Sequence, residues 1–402
     1  MPGPGWYFIG NEEEREVLEA LRSRQLSRYR FGDETSNSKT LLLEEEMGRI
    51  LHSPYVLGLN SCTSALLAGL TALSIGPGDE VIVPGYTFIA SISAVLFTGA
   101  RPVLAEIDTS LTLDPADVAR KIGPRTKALM PVHMIGAQAD LDTLLELAHE
   151  HDLSVIEDCA QACGGSYRGR RLGTIGDIGV FSLNSGKTIT AGDGGLLSTG
   201  SEEVYRQAFA FHDHGFARDR AGVVDQGPRI GLNLRMHELA GAVGLAQARK
   251  LDDVLARCRE LKKIVRAELA GLTGVSERVV HDEAGDCATA HVLVFDSRER
   301  AANVAAALGG YPLGGSVKHN YELMRQLHGE FGRLDAAGDS AVGYSEAGDL
   351  PRTDDILARS VALSIGVVDS YLGTLGGITV RDTGPEVAVK AAAIRNLIEA
   401  VA

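Results

Sequence analysis

The chain has 402 residues, of which 45% are hydrophobic and 23% charged, the proportions of an ordinary soluble globular protein that can bury a large core. Its formal net charge of −14 argues against nucleic acid or an anionic membrane surface as the main partner, although backbone amides could still hold a phosphate. The five cysteines lack the paired spacing of a zinc site, so we predict no metal and expect reduced thiols in a cytoplasmic protein.

The N-terminal residues Met1–Gly10 lack the basic start and the apolar run of a signal peptide. The apolar run Ala90–Phe97 is too short to span a bilayer. We therefore expect no membrane partner.

Short apolar runs alternate with helix-like segments from about Leu41 to Gly200. The predicted strands are Tyr55–Leu59, Glu80–Val83, Pro102–Ile107, Ala128–Val132, Ser154–Glu157, Ile178–Ser182 and Gly195–Ser198. The predicted helices between them are Thr63–Ser74, Phe88–Thr98, Pro115–Ile122 and Leu141–His151. Nearly continuous apolar strands separated by helices predict an α/β fold with a mostly parallel central sheet between helices.

The rest of the chain predicts two further regions beside a large α/β domain at residues 41–270. Residues 1–40 are expected to contribute to a small lobe and a dimer contact, with Arg28–Lys39 exposed, mobile or in contact with another subunit. Residues 236–272 favour one long helix. Residues 271–402 predict a small C-terminal α+β domain. Its predicted elements are strands Ala290–Phe295 and Ala362–Ile365, helices Arg300–Leu308, Tyr321–Leu327 and Pro385–Val401, and a loop over Leu334–Leu350.

A strand that ends in acidic residues, Ser154–Gln161, is the first chemical feature. Ligands in open α/β sheets bind beyond the carboxyl ends of strands. A buried Asp158 there needs a partner, because an isolated buried carboxylate is costly. The alternative is that Asp158 only caps the start of a helix.

Lys187 lies in a Gly- and Ser-rich loop directly after another strand. A lysine in such a loop can be desolvated, which lowers its pKa toward that of a reactive amine. Ser182 and Ser185 offer hydroxyls to a phosphate. The segment is not a P-loop, because position 181 is Phe where that motif needs Gly. The alternative is a surface lysine in a turn.

Two weaker features follow strand ends earlier in the chain. A helix that starts near Thr63 could bind an anion through its free amides, unless Thr63 is an ordinary N-cap. The turn Pro84–Phe88 delivers two aromatic rings, and Phe88 could stack on a planar ring or simply belong to the core.

In their order along the chain, these motifs resemble those of the DegT/StrS-type sugar aminotransferases. That family is a branch of the fold type I, aspartate aminotransferase-like enzymes that depend on pyridoxal 5′-phosphate (PLP). The resemblance covers about Tyr7 to Leu251 and rests on Ser61–Leu66, Gly78–Phe88, Pro131–Gly136, Val155–Gln161, Gly176–Ser182, Gly186–Gly195, Asp213–Gly215 and Gly231–Met236. Within the family the nearest likeness is to enzymes that form amino-octulosonate sugars.

The resemblance implies a role for each matching residue. Lys187 would form a Schiff base with PLP and move the proton, Asp158 would pair with the pyridine nitrogen, and Gln161 would contact the phenolic oxygen. Phe88 would stack on the ring. The phosphate would be held by Cys62, Thr63 and Ser182, and by Asn233 from the other subunit of a homodimer with shared sites. Arg235 would place Asn233 or reach the site itself.

Departures from the family bear on both the phosphate site and the reaction. Cys62 stands where the family usually has Gly, and Asp193 replaces its usual Glu. Because Lys187 is retained, the dehydratases of the family, which have a histidine there, are disfavoured.

The expected reaction is a ping-pong transfer of an amino group from glutamate or glutamine to a small keto acceptor, such as a keto sugar or a related keto compound. Candidate substrate contacts are His133, His214, Tyr29, Phe31, Arg229, His319 and Tyr321, unless these lie in solvated loops. Cations available to an acidic acceptor are Arg28, Arg30, Arg229 and Lys318. The alternatives are dehydration, aromatisation or cyclitol amination by a PLP enzyme of the same family and, more distantly, a non-enzymatic PLP-binding sensor.

Overall fold

A seven-stranded sheet forms the centre of the protein. The computed structural model describes residues 3–28, 38–218, 224–226, 230–336, 346–366 and 374–401. Across the sheet the strands lie in the order Tyr55–Leu59, Gly195–Thr199, Ile178–Ser182, Ser154–Asp158, Thr126–Leu129, Glu80–Pro84 and Arg101–Ala105. Within this sheet only Gly195–Thr199 runs antiparallel to its neighbours. The predicted mostly parallel α/β fold is therefore confirmed.

Helices cover the sheet because successive strand residues point to opposite faces. Val180 and Leu197 pack in one apolar cluster, and the adjacent Phe181 and Leu196 pack in another. The helices of this part of the chain are Asn11–Ser23, Lys39–Leu51, Cys62–Ala72, Ile89–Phe97, Pro115–Lys121, Leu141–Glu150 and Glu202–His212. Among the described residues, no helix is long and apolar enough to cross a membrane.

Arg28 and Lys39, the two ends of the segment expected to be exposed, mobile or in contact with another subunit, are both buried, so neither end is exposed. Arg28 forms an ion pair with Glu44, and the ammonium of Lys39 lies 2.6 Å from a carboxylate oxygen of Glu16. Residues 29–37 lie outside the described residues. Arg28 is therefore not a cation available to a substrate.

The predicted single helix at 236–272 is two helices, Glu238–Ala248 and Leu251–Leu269. The break falls at Lys250, whose ammonium donates hydrogen bonds to the carbonyl oxygen of Phe8 and to Glu13, each over 2.8 Å. These contacts join residues distant in the sequence, so helical periodicity alone could not reveal the break.

A second, four-stranded sheet follows, in the order Val275–Glu277, Ala290–Phe295, Ser360–Ser364 and Thr374–Leu375. Its helices are Arg298–Ala307, Arg325–Ala336, Pro351–Ala358 and Gly384–Ala400, and the predicted helix Tyr321–Leu327 is a 3₁₀ turn, Tyr321–Leu323, before the second of these. Short 3₁₀ turns also lie at Pro4–Phe8, Met134–Gly136 and Leu313–Gly315. Two further pairs of short strands are Ser166–Tyr167 with Arg170–Arg171 and Phe216–Arg218 with Val224–Gln226. The second sheet and its helices form the smaller α+β part of the fold, whereas the domain boundaries stay a prediction.

Candidate active site

Three chain segments meet at one edge of the large sheet. Asp158 ends one strand and pairs in register with Val180 on the next, which ends two residues later at Ser182. Ser182 pairs with Gly195, and a side chain on Gly195 would overlap the backbone nitrogen of Cys62. The absence of a side chain at residue 195 thus lets the start of the helix Cys62–Ala72 lie against the strand ends.

Asp158 is only 3% exposed, and its carboxylate is held by two donors. The hydroxyl of Ser91 donates to Oδ2 over 2.7 Å, and the amide of Ala160 donates to Oδ1 over 3.0 Å. Ala160 belongs to a turn, so Asp158 does not cap a helix. Within the described chain no cation lies within ion-pairing distance of Asp158, and a buried carboxylate in such a place favours a cationic ligand.

Ser91 was not found from the sequence. It is fully buried and lies directly after the aromatic turn in the mainly apolar helix Ile89–Phe97, where Ser93 is the other polar residue. A polar residue one turn into an apolar helix at a strand end is a signal that could have indicated it.

The helix Cys62–Ala72 is capped by Ser61, whose hydroxyl accepts a hydrogen bond from the amide of Ser64 over 3.1 Å. The alternative that Thr63 is the cap is therefore wrong, and its side chain is exposed. Among the described residues the amides of Cys62 and Thr63 make no hydrogen bond. These two amides and the buried hydroxyl of Ser182 are a group of hydrogen-bond donors that suits a phosphate.

Lys187 is half-buried in the loop between two neighbouring strands. Its amide donates to the carbonyl oxygen of Asn184 over 3.0 Å, and the amide of Gly3 reaches the carbonyl oxygen of Ser185 over 2.8 Å. Burial raises the pKa of the Cys62 thiol, the charge of Asp158 raises that pKa further and the charge of Lys187 lowers it. The charges of Lys187 and Asp158 thus both affect the Cys62 thiol at the start of the helix.

Gln161 presents its amide in one orientation. Its side-chain oxygen accepts a hydrogen bond from the backbone amide of Ile135 over 2.9 Å. Among the described residues its side-chain nitrogen makes no hydrogen bond. Gln161 therefore offers a donor to an anionic oxygen such as the phenolic oxygen of PLP.

Phe88 is 38% exposed and immediately precedes the helix that contains Ser91. Its ring centroid lies 5.4 Å from that of His319. The segment from Gly85 to Ile89 is joined to residues 318–321 by backbone hydrogen bonds, including Thr87 to His319 over 2.9 Å. Phe88 is thus not a core residue, and its partly exposed ring can contact a planar ligand.

His133 does not have the predicted place among substrate contacts. It is fully buried, and its Nδ1 accepts a hydrogen bond from the amide of Ala139 over 3.1 Å, so its Nε2 carries the proton and donates to Glu157. Burial opposes ionisation of Glu157, but the hydrogen bonds from His133 and from the amides of Gly173 and Gly176 lower the pKa of Glu157. Cys159 completes a group that could ligate a metal, yet His133 and Glu157 are already fully hydrogen-bonded.

Tyr321 does not have the predicted place among substrate contacts either. It is fully buried, and its hydroxyl accepts from the amide of Leu350 over 2.9 Å and donates to Asp354 over 3.3 Å. His319 lies beside Phe88 but is buried. His214 is exposed, and its own backbone has a φ of 58°. The predicted contacts Tyr29, Phe31 and Arg229, and the cation Arg30, lie outside the described residues.

Asn233 is exposed at the end of a short backbone pairing with Asp213. Arg235 forms an ion pair with Asp213. Of the two roles predicted for Arg235, this contact favours the placing of Asn233.

A lysine in the loop after one strand, a buried carboxylate at the end of the next strand and a helix start with unbonded amides are the arrangement typical of fold type I PLP-dependent enzymes. The chain belongs to the DegT/DnrJ/EryC1/StrS aminotransferase family, whose sequence profile matches residues 8–327. It is therefore a PLP-dependent aminotransferase.

Two relatives and one solved structure illustrate the similarity. The spore coat polysaccharide biosynthesis protein SpsC of Bacillus subtilis is 31% identical over 370 residues, which cover 89% of this chain and 90% of that protein. A GDP-perosamine synthase of Escherichia coli O157:H7 is 40% identical over 225 residues, which cover 56% of this chain and 61% of the synthase. The crystal structure of S. venezuelae DesV in complex with a ketimine intermediate is 30% identical, has a TM-score of 0.78, and is matched over 96% of this chain and 94% of DesV.

Proposed function

We propose that Lys187 holds PLP covalently and that the sheet edge around it is the active site of an enzyme that aminates a keto sugar. The observation that carries this proposal is the buried Asp158 carboxylate, which has no cationic partner among the described residues and lies next to free helix amides. The residues fit PLP, because Asp158 suits a protonated pyridine nitrogen, Gln161 a phenolic oxygen and the start of the helix at Cys62 a phosphate.

Each side chain then has one task. When bound, PLP delocalises the electron pair that remains after a proton leaves the α-carbon of the substrate. Asp158 keeps the positive charge of the pyridine nitrogen by an ion pair. Gln161 donates to the phenolic oxygen, and Phe88 covers one face of the ring. The amine of Lys187 would take the proton from the α-carbon of the amino donor and deliver it to C4′ of the cofactor, and it would move a proton in the opposite direction when the keto acceptor is aminated.

The proposed substrates are glutamate or glutamine as amino donor and a keto sugar as acceptor. The support comes from the relatives, one of which is named for the GDP-linked product GDP-perosamine and another for polysaccharide biosynthesis. Two candidate substrate contacts are left within the described residues: the largely buried His319, which lies beside Phe88, and the exposed His214, which follows the residue that pairs with Asn233. The narrower likeness to amino-octulosonate-forming enzymes stays a prediction, as does the cytoplasmic location.

We further propose a homodimer with shared active sites. Asn233 is exposed, and the nearby Ile230 is 92% exposed, as expected for residues that a second subunit covers. Asn233 would then reach the phosphate of the partner's cofactor.

The half-reactions test the proposed function. The PLP-loaded protein mixed with glutamate or glutamine alone should yield the corresponding keto acid and one pyridoxamine phosphate per active site. Addition of a keto sugar should then regenerate PLP, which is measured by its visible absorbance. Dehydration without pyridoxamine formation would instead support the alternative chemistry, and borohydride reduction followed by peptide mass spectrometry should place the cofactor on Lys187.

A further inference from the structure

Arg278 is a buried cation outside the residues assigned so far. It follows the strand Val275–Glu277 of the second sheet and is 4% exposed. Its two terminal nitrogens donate to the carbonyl oxygens of Met134 and Ile135 over 2.9 and 2.8 Å. In the described part of the chain no carboxylate lies within ion-pairing distance of it, and its Nε has no hydrogen-bond partner.

Such a placement is costly, because a buried charge is normally paired. Burial lowers the pKa of Arg278, and the nearby charge of Asp286 opposes this only in part. Arg278 is thus held in the fold by what its two terminal nitrogens bind. Both bind the same turn of the large sheet.

That turn is strained. Ile135 has a φ of 51°, in the left-handed region that a β-branched residue rarely adopts, at a cost of about 1–3 kcal/mol. Gly136 follows with a φ of 79°, and a side chain there would meet the hydroxyl of Thr289 at 2.9 Å. The carbonyl oxygen of Gly136 also accepts a hydrogen bond from Cys287 over 3.0 Å. Residues of the C-terminal region therefore hold the turn in a conformation that its sequence disfavours.

The turn at Ile135 also orients the side chain of Gln161. The amide of Ile135 donates to the side-chain oxygen of Gln161 over 2.9 Å. A carboxamide has an oxygen acceptor on one side and a nitrogen donor on the other, so the partner of the oxygen decides where the donor points. If the turn relaxed, the Ile135 amide would move and would no longer fix the direction in which the nitrogen of Gln161 points.

We propose that Arg278 is a positioning residue, which holds the turn at Ile135 so that the nitrogen of Gln161 faces the phenolic oxygen of PLP. The proposal rests on the proposed function, because it assumes that Gln161 binds this oxygen. It connects the second sheet to the cofactor through two hydrogen-bonded steps, Arg278 to Ile135 and Ile135 to Gln161.

The test compares Arg278→Met, Gln161→Ala and the double variant. The readout is the pH midpoint at which the visible absorbance of the bound cofactor changes, because a donor at the phenolic oxygen shifts that midpoint. Arg278→Met should shift the midpoint in the same direction as Gln161→Ala and reduce kcat on the order of tenfold. The double variant should shift it no further than Gln161→Ala does.

Additive shifts in the double variant, or an unchanged midpoint in Arg278→Met together with a lower Tm of the cofactor-free protein, would overturn the proposal and leave Arg278 as a structural brace. Arg278→Lys is the second variant if Arg278→Met does not fold. It keeps the charge but loses the planar fork that reaches two carbonyl oxygens, so a smaller shift in the same direction is expected, and no shift would overturn the proposal. Failure of borohydride to attach the cofactor to Lys187 in the unaltered protein would refute the proposed function instead.

Discussion

The hydroxyl of Ser91 donates a hydrogen bond to Oδ2 of Asp158 over 2.7 Å. Ser91 is in turn 2.7 Å from the hydroxyl of Thr87, and both side chains are fully buried. The amide of Thr87 donates to the carbonyl oxygen of His319. The proposed partner of the pyridine nitrogen is therefore oriented by the segment that also carries Phe88.

Ser91→Ala should weaken cofactor binding, because the carboxylate of Asp158 loses one of its two donors. Hydrogen bonds to charged groups contribute about 1.5–3 kcal/mol, so we expect the dissociation constant of PLP to rise on the order of tenfold. Equilibrium dialysis measures it. Ser93→Ala is the matched control, because among the described residues the Ser93 hydroxyl bonds only to the carbonyl oxygen of Ala90 in the same helix. Equal effects of the two changes would contradict the role of Ser91.

Gly195→Ala should separate the strand Gly195–Thr199 from the start of the helix at Cys62. The new methyl group would overlap the backbone of Ser61 and Cys62, and such overpacking costs about 1–3 kcal/mol. The free energy of unfolding, measured with urea, and the affinity for PLP should both decrease. Gly200→Ala is the control, because a side chain at Gly200 meets nothing within 4 Å. An unchanged PLP affinity in Gly195→Ala would show that the helix start does not bind the phosphate.

The free energy of unfolding should decrease as the pH falls below about 6.5. Burial, aided by the charge of Arg28, lowers the pKa of His212 to about 3, and burial, aided by Lys262, lowers that of His291 to about 3. Both stay neutral in the folded protein while the unfolded chain takes up a proton at each. Their stabilisation is complete above the unfolded pKa and is lost by about 1.4 kcal/mol per pH unit for each histidine as the pH falls toward 3.

Urea unfolding at a series of pH values measures this slope. His291→Leu should reduce it by about half below pH 6.5. The control His149→Gln changes an exposed histidine and should leave the slope unchanged. A slope that is the same in all three proteins would disprove this origin of the pH dependence.

Shared active sites predict that two inactive variants complement each other. Lys187→Ala and Asn233→Ala should each have little activity, but their mixed dimer contains one site with both changes and one intact site. Dissociation and reassociation of an equal mixture should restore roughly a quarter of the normal activity. No recovery would mean that Asn233 serves the site of its own chain, and the two unmixed variants treated in the same way are the controls.

The strands of the large sheet could be predicted from the sequence because each is a short apolar run bounded by turn-forming residues. Tyr55–Leu59 and Ile178–Ser182 were predicted with their observed bounds. The burial of His133 and Tyr321 could not be predicted, because both polar groups are satisfied by backbone amides that only the folded chain brings near. Gln161 was found through the family motif, but its orientation depends on Arg278, which lies beyond the part of the chain that the motifs cover.

The backbone pairing of Gly85–Ile89 with residues 318–321 also constrains how this enzyme can change its specificity. Residues 318–321, which include the candidate substrate contact His319, are joined by three backbone hydrogen bonds to the segment that carries Phe88, the residue proposed to cover the cofactor ring. Substitutions that shift the backbone of residues 318–321 to suit another acceptor would therefore also move Phe88. Selection for a new acceptor in this protein must act on both properties at once.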